Sequence, residues 1–190
     1  KNTIENFLKS ANEIPEFAIM APYIQEEKSN NEIDVNAKME VKEVINVKGF
    51  AMFLNMIQFK DIGFFDENFF IYFEEIDLCK RVAIKNKKIY LVPSIVVNHK
   101  GGQSHDKSVN YEMELSRNWH WMWSTFTYHK KYKGFIFSFL IILPKFMSAI
   151  FKYIIFSVLF NKKKKDIYFH RYSGLFNAIT GKSSWYRPKV

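Results

Sequence analysis

"GFFDENFFIYFEEIDLCKRV", residues 63–82, is the stretch on which the reading of this chain turns. A Gly-Phe-Phe-Asp-Glu turn leads through Phe69, Phe70, Tyr72 and Phe73 into Glu74, Glu75 and Asp77. From Glu74 to about Asn86 the spacing predicts a helix. Ile76, Cys79, Val82 and Ala83 share its apolar face, and Lys80, Arg81, Lys85 and Lys87 lie largely on the others. Three acids opening a helix have an ordinary explanation, since the macrodipole stabilises each by roughly 0.3–1 kcal/mol. The aromatic setting allows another. Rings packed on a carboxylate strip it of water and raise its pKa, which turns a glutamate into a usable general base. Spacing alone leaves both readings open.

Working outward, residues 1–12 are expected to form a helix, and "FAIMAPYI" (17–24) a buried strand ending at its proline. "QEEKSNNEID" (25–34) is a polar loop. Residues 41–63 predict a strand, a break at Gly49 and a short apolar element. Downstream, "KIYLVPSIVVNH" (88–99) reads as a strand pair interrupted by Pro93, and "KGGQSHDKS" (100–108) as a flexible loop. His99 ends an apolar strand and enters a Gly-Gly loop. That position suits a metal ligand or a phosphate contact, and equally an ordinary structural histidine. A further helix is expected over 110–132.

Composition narrows the classes. The chain is 48% hydrophobic with 20 Phe, which excludes a disordered polypeptide, and its single cysteine, Cys79, excludes an internal disulfide and a Cys-rich metal cluster. Cys79 is expected to be a small buried hydrophobe. Charge is strongly divided. Residues 1–78 carry 7 Lys and 15 Asp plus Glu, a balance of −8. Residues 79–190 carry 21 Lys plus Arg and 4 acids, a balance of +17. The basic part should meet something anionic.

"FIFSFLIILPKFMSAIFKYIIFSVLF" (135–160) holds only two charges, Lys145 and Lys152, and is flanked by "HKKYK" (129–133) and "KKKK" (162–165). As one helix it spans about 39 Å, enough to cross a bilayer. Three features instead predict a helix or helical hairpin lying in the interface of an anionic leaflet: both flanks are basic, the two lysines share a face and can snorkel to headgroups, and Pro144 should break or kink the middle. "NWHWMW" (118–123) interleaves aromatics as a single-strand nucleic-acid binder can. The lysines, however, cluster beside the apolar stretch, so lipid is the expected partner and nucleic acid is not. Trp119, Trp121 and Trp123 cannot all share one helix face.

Taken in order, "GFFDENFFIYFEEIDLCKRV", "LVPSIVVNHKGGQS" (91–104), "FAIMAPYI", "VINVKGFAMFLN", "RNWHWMWSTFTYHKKYKG" (117–134) and "RYSGLFNAITGK" (171–182) resemble the C-terminal half of inverting family 2 glycosyltransferases of GT-A fold, nearest to rhamnosyltransferase-like and galactofuranosyltransferase-like members. The likeness covers residues 15–135 well and 136–182 loosely. It implies an α/β, Rossmann-like partial catalytic domain over 1–133 and a helical, basic, membrane-associated tail over 134–190. The nucleotide-binding half and the Asp-x-Asp motif of such enzymes have no counterpart in this sequence, so the resemblance implies the acceptor-side part of a larger enzyme.

The resemblance also implies roles. Glu75 matches the catalytic base, with a Glu where the family usually has Asp, and Glu74 or Asp77 would share its task. Gly49, Asp66 and Glu67 would border the acceptor and donor. Lys100, Gly101, Gly102 and Ser104 would lie near the donor diphosphate. His99 would ligate Mg²⁺ or Mn²⁺ acting as a Lewis acid on the leaving group. The partners would be a nucleotide-sugar donor, a glycan or lipid-linked acceptor and an anionic membrane at the cytoplasmic face, in synthesis of a surface polysaccharide. The contrasting expectation is a non-catalytic membrane-binding or scaffolding module.

Overall fold

A computed structural model describes residues 2–26, 40–99 and 106–188, with only the backbone of Gln25 and Glu26. The predicted loop at 25–34, and Lys100, Gly101, Gly102 and Ser104, lie wholly or largely outside the described residues. The chain is α/β and divides into two compact units, Lys1–Asp66 with Glu74–Gln103, and Glu67–Phe73 with Ser104–Val190.

In the first unit, β1 (Phe17–Glu26) pairs in parallel with β4 (Lys88–His99). The short strands β2 (Lys42–Val44) and β3 (Phe53–Leu54) add antiparallel on either side, giving a mixed sheet of order β2-β4-β1-β3. The central pair is apolar on both sides, as parallel strands covered on two faces must be. Ala18, Ile19 and Ile89 pack with Leu78, Cys79 and Val82 of α2 (Glu74–Ile84) and with Phe59 and Ile62. Phe17, Met20, Val92 and Ile95 pack with Phe7 of α1 (Thr3–Glu13).

Two expectations about proline change here. β1 does not end at Pro22, and β4 is one strand rather than two. The register jumps from Pro22 opposite Val92 to Tyr23 opposite Val96, so residues 93–95 form a bulge around Pro93. A bulge removes the need for the N–H that proline lacks, and the ladder resumes beyond it. The face of α2 also differs in detail: Leu78, Cys79 and Val82 are buried, whereas Ala83 is exposed.

The second unit is built on α3 (Asn110–Lys133), α4 (Phe135–Val158) and α5 (Lys162–Ile179). α5 packs on both other helices. Trp119, Trp123 and Phe126 of α3, Ile142 of α4 and Leu175 and Ala178 of α5 form its core together with Phe69. α3 and α5 approach closely at Gly174, where a Cβ would stand 2.3 Å from the Trp119 carbonyl oxygen. Thus α3, which the sequence reading assigned to the catalytic domain, groups with the helices that follow it. Trp119 and Trp123 are buried and Trp121 is exposed, as three tryptophans at alternate helical positions require.

Pro144 does not break α4, which runs unbroken for 24 residues. Proline forfeits one backbone hydrogen bond, and the apolar turns on each side propagate the helix past it. α4 is long and apolar enough to cross a membrane, and only 11% of its most apolar window is buried. Ile136, Leu140, Met147, Phe151, Ile154 and Val158 are all exposed, and their spacing of three, four and seven makes a single stripe. Lys145 and Lys152 are not on that stripe. They lie on the far side of the helix, next to the packed Ile142 and Ala149.

Candidate functional site

Glu74 and Glu75 occupy the first turn of α2, immediately after two residues of unusual backbone. Tyr72 (φ 67°) and Phe73 (φ 70°) both adopt the left-handed region. Bulky side chains there cost about 1–3 kcal/mol each and persist only where surrounding contacts impose them. The contacts are aromatic: Trp121 meets Tyr72 edge-on at 5.3 Å and Phe73 at 5.4 Å, and the Ser124 hydroxyl donates to the Ile71 carbonyl at 3.0 Å. The strained pair is what turns an aromatic-rich segment abruptly into a helix headed by acids.

Both acids place an oxygen out of water. The Oε2 atoms of Glu74 and of Glu75 are buried with no hydrogen-bond partner among the described residues. Burial raises the Glu74 carboxyl above the ordinary range. Its own backbone N–H partly offsets this, and the Glu75 charge adds to the rise. Two adjacent carboxylates with unsatisfied buried oxygens are costly in a purely structural role, which is why such pairs mark sites of proton transfer or ligand binding.

Glu75 is seated by Gly49. A Cβ on residue 49 would lie 3.1 Å from Glu75 Cβ and 3.5 Å from its Cγ, so glycine supplies the space in which this side chain lies. The next residue, Phe50, stacks face to face on the His99 imidazole at 3.8 Å and 9°. The Gly49–Phe50 corner is therefore a neighbour of both Glu75 and His99, residues 24 apart in sequence. The sequence-derived candidates Gly49, Glu74, Glu75 and His99 thus come into one region of the first unit.

Asp77 does not join them. Its side chain is fully buried and accepts from Arg81 Nε at 2.8 Å. Arg81 also donates through Nη1 to the carbonyls of Ile62 (2.7 Å) and Gly63 (2.9 Å) and through Nη2 to that of Phe64. The Asp77–Arg81 pair clamps α2 to the 62–64 turn, which accounts for an acid at this position without catalysis. Sequence reading placed Arg81 on the outer face; the i,i+4 spacing from Asp77 was the available signal. Asp66 is half-buried and Glu67 exposed, and the division between the two units falls between them. Cys79 is fully buried, with its thiol pushed up by burial, as expected of a small hydrophobe.

The expected Mg²⁺ or Mn²⁺ ligand His99 ends β4, and the loop that follows it, residues 100–105, lies outside the described residues. Hard cations need several oxygen ligands. Among the described residues no group of three or more His, Cys, Asp or Glu side chains could hold a metal, and His99 has an aromatic ring on its face. The described part of the region holds the Glu74–Glu75 carboxylates and the His99 imidazole stacked on Phe50.

Comparison of the chain with family models, with curated proteins and with solved structures gives no match.

Proposed function

We propose that this chain is the acceptor-side part of a membrane-associated inverting glycosyltransferase, with Glu75 as the general base and Glu74 as its partner. The observation that carries the reading is the pair of buried, unpartnered carboxylate oxygens opening α2 beside Gly49. In this reading Glu75 removes the proton of an acceptor hydroxyl as that oxygen attacks the anomeric carbon of a nucleotide sugar. The bond to the diphosphate breaks on the opposite face, and the configuration inverts. Glu74, held toward its neutral form by burial, keeps the second negative charge away from the developing alkoxide. The nucleotide-binding half would be supplied by sequence preceding Lys1, as the resemblance implies.

The apolar stripe of α4 would sink into the headgroup boundary of a cytoplasmic leaflet, where lipid-linked acceptors are found. Sugar transfer by the gene product carrying that preceding sequence tests the proposal. Glu75→Gln is expected to lower turnover by about 10²–10⁴-fold, the range general-base catalysis supplies, with the donor KM unchanged. Wild-type turnover in that variant would reject Glu75 as the base. The exposed stripe of α4 also favours a second reading, a membrane-binding module without catalysis. Absence of transfer from any nucleotide sugar, with vesicle binding intact, would select it.

A further inference from the structure

A cleft of about 200 Å³ opens within the helical unit. Lys145, Ser148 and Lys152 of α4, Tyr168 and Arg171 of α5 and Trp121 of α3 line it. Lys145 and Lys152 are two helical turns apart on one side of α4. Lys152 Nζ stands 5.3 Å from the centre of the Tyr168 ring and the Arg171 guanidinium 5.4 Å from it, so two cations of the cleft share one aromatic ring. Tyr168 is braced from behind by Phe156, stacked at 5.6 Å and 10°. Arg171 is fixed by donating Nε–H to Asn118 Oδ1 at 2.7 Å, which leaves its terminal nitrogens to face other partners.

Three cations gathered on one cleft repel one another unless an anion joins them. The acids of residues 106–188 are engaged elsewhere. Asp106 accepts from the Ser108 backbone, Glu112 holds the Tyr186 hydroxyl, Glu114 pairs with Lys163 at 3.0 Å, and Asp166 accepts from Tyr111 at 2.7 Å. No ion pair among the described residues involves Lys145, Lys152 or Arg171. The three helices supply no free acid to the cleft, so the anion must come from outside them. A planar guanidinium with two flexible ammonium groups and a serine hydroxyl is the donor set that tetrahedral phosphate prefers.

We propose that this cleft binds a phosphate group, presented by a lipid headgroup or by a soluble phosphate ester. Its place opposite the exposed apolar stripe of α4, with exposed Trp121 lining it, suits a headgroup reached from the interface. The inference goes beyond sugar transfer and does not involve Glu74 or Glu75, so the Glu75→Gln assay and the experiment below fail independently.

The full chain is compared with Lys145→Gln/Lys152→Gln and with a charge-matched control, Lys162→Gln/Lys165→Gln. Two probes are used: phosphatidylcholine vesicles with or without phosphatidic acid, and inorganic pyrophosphate titrated calorimetrically in neutral detergent. The cleft variant is expected to lose about tenfold or more in affinity for at least one probe, while the control loses about threefold or less. Loss confined to vesicles assigns the phosphate to a lipid, and loss shared with pyrophosphate assigns the site to phosphate in either setting. Arg171→Lys, which keeps the charge and removes the fork, should fall between the two. Equal losses in the cleft variant and the control, or no binding of either probe by the unaltered chain, would overturn the proposal. Circular dichroism of each variant separates lost binding from lost folding.

Discussion

Glu75 and Asp77 lie two residues apart on one helical turn and meet opposite fates. Glu75 points over Gly49 with an unpartnered buried oxygen, while Asp77 is consumed by Arg81. Asp77→Asn should therefore act on stability rather than on chemistry. Breaking a buried pair leaves Arg81 uncompensated and costs about 3 kcal/mol, read as a lower midpoint in urea unfolding. Transfer per folded molecule should be retained. Unchanged stability with lost transfer would return Asp77 to the catalytic group. The sequence listed three acids at the head of one helix but could not rank them. Ranking depends on where Arg81 reaches, and its other partners are backbone carbonyls, which carry no sequence signal.

Among the elements, the contact of α3 with α5 rests on one absent side chain. Gly174→Ala would drive a methyl group to 2.3 Å from the Trp119 carbonyl oxygen, so the helices must separate. A loss of about 2 kcal/mol or more is expected in thermal or urea unfolding, the cost of overpacking against rigid backbone. An unchanged midpoint would mean that the helices do not approach here. On the same helix, His120 is fully buried. One ring nitrogen donates to the Tyr186 carbonyl at 2.8 Å, and the other accepts from the Ser184 hydroxyl at 3.0 Å. Burial, with the Arg187 charge adding, lowers its pKa from 6.5 to about 4. Between those values the unfolded chain binds the proton and the folded chain does not. Stability from this group is therefore complete above pH 6.5 and declines as pH falls toward 4. His120→Gln should flatten that decline in Tm against pH; an unaltered slope would show that the decline arises elsewhere. The position of α2 was legible because Ile76, Cys79, Val82 and Ala83 recur at helical spacing. The course of β4 through Pro93 and of α4 through Pro144 was not, because a proline's local penalty is outweighed by pairing or apolar packing on both sides of it.

At the scale of the molecule, the division of charge and the exposed face of α4 lead to one expectation. The chain should float with anionic vesicles, and Phe151→Glu with Ile154→Glu, both on the exposed stripe, should abolish flotation. Raising salt should weaken but not eliminate binding by the unaltered chain, because screening removes the lysine contribution and leaves the apolar one. Flotation unaffected by the two substitutions would show that the stripe is not the membrane face. The amino-acid sequence by itself determined the helix beginning at Glu74, the acidic and basic halves and the long apolar stretch at 135–160. These are matters of composition and period, and period is a local property. Tertiary structure alone decided which acid is clamped and which keeps an unpartnered buried oxygen, that α3 belongs with the helices after it, and that Lys145, Lys152 and Arg171 share a cleft. Each of these depends on residues far apart in the chain, whose approach is set by packing geometry at positions such as Gly49 and Gly174.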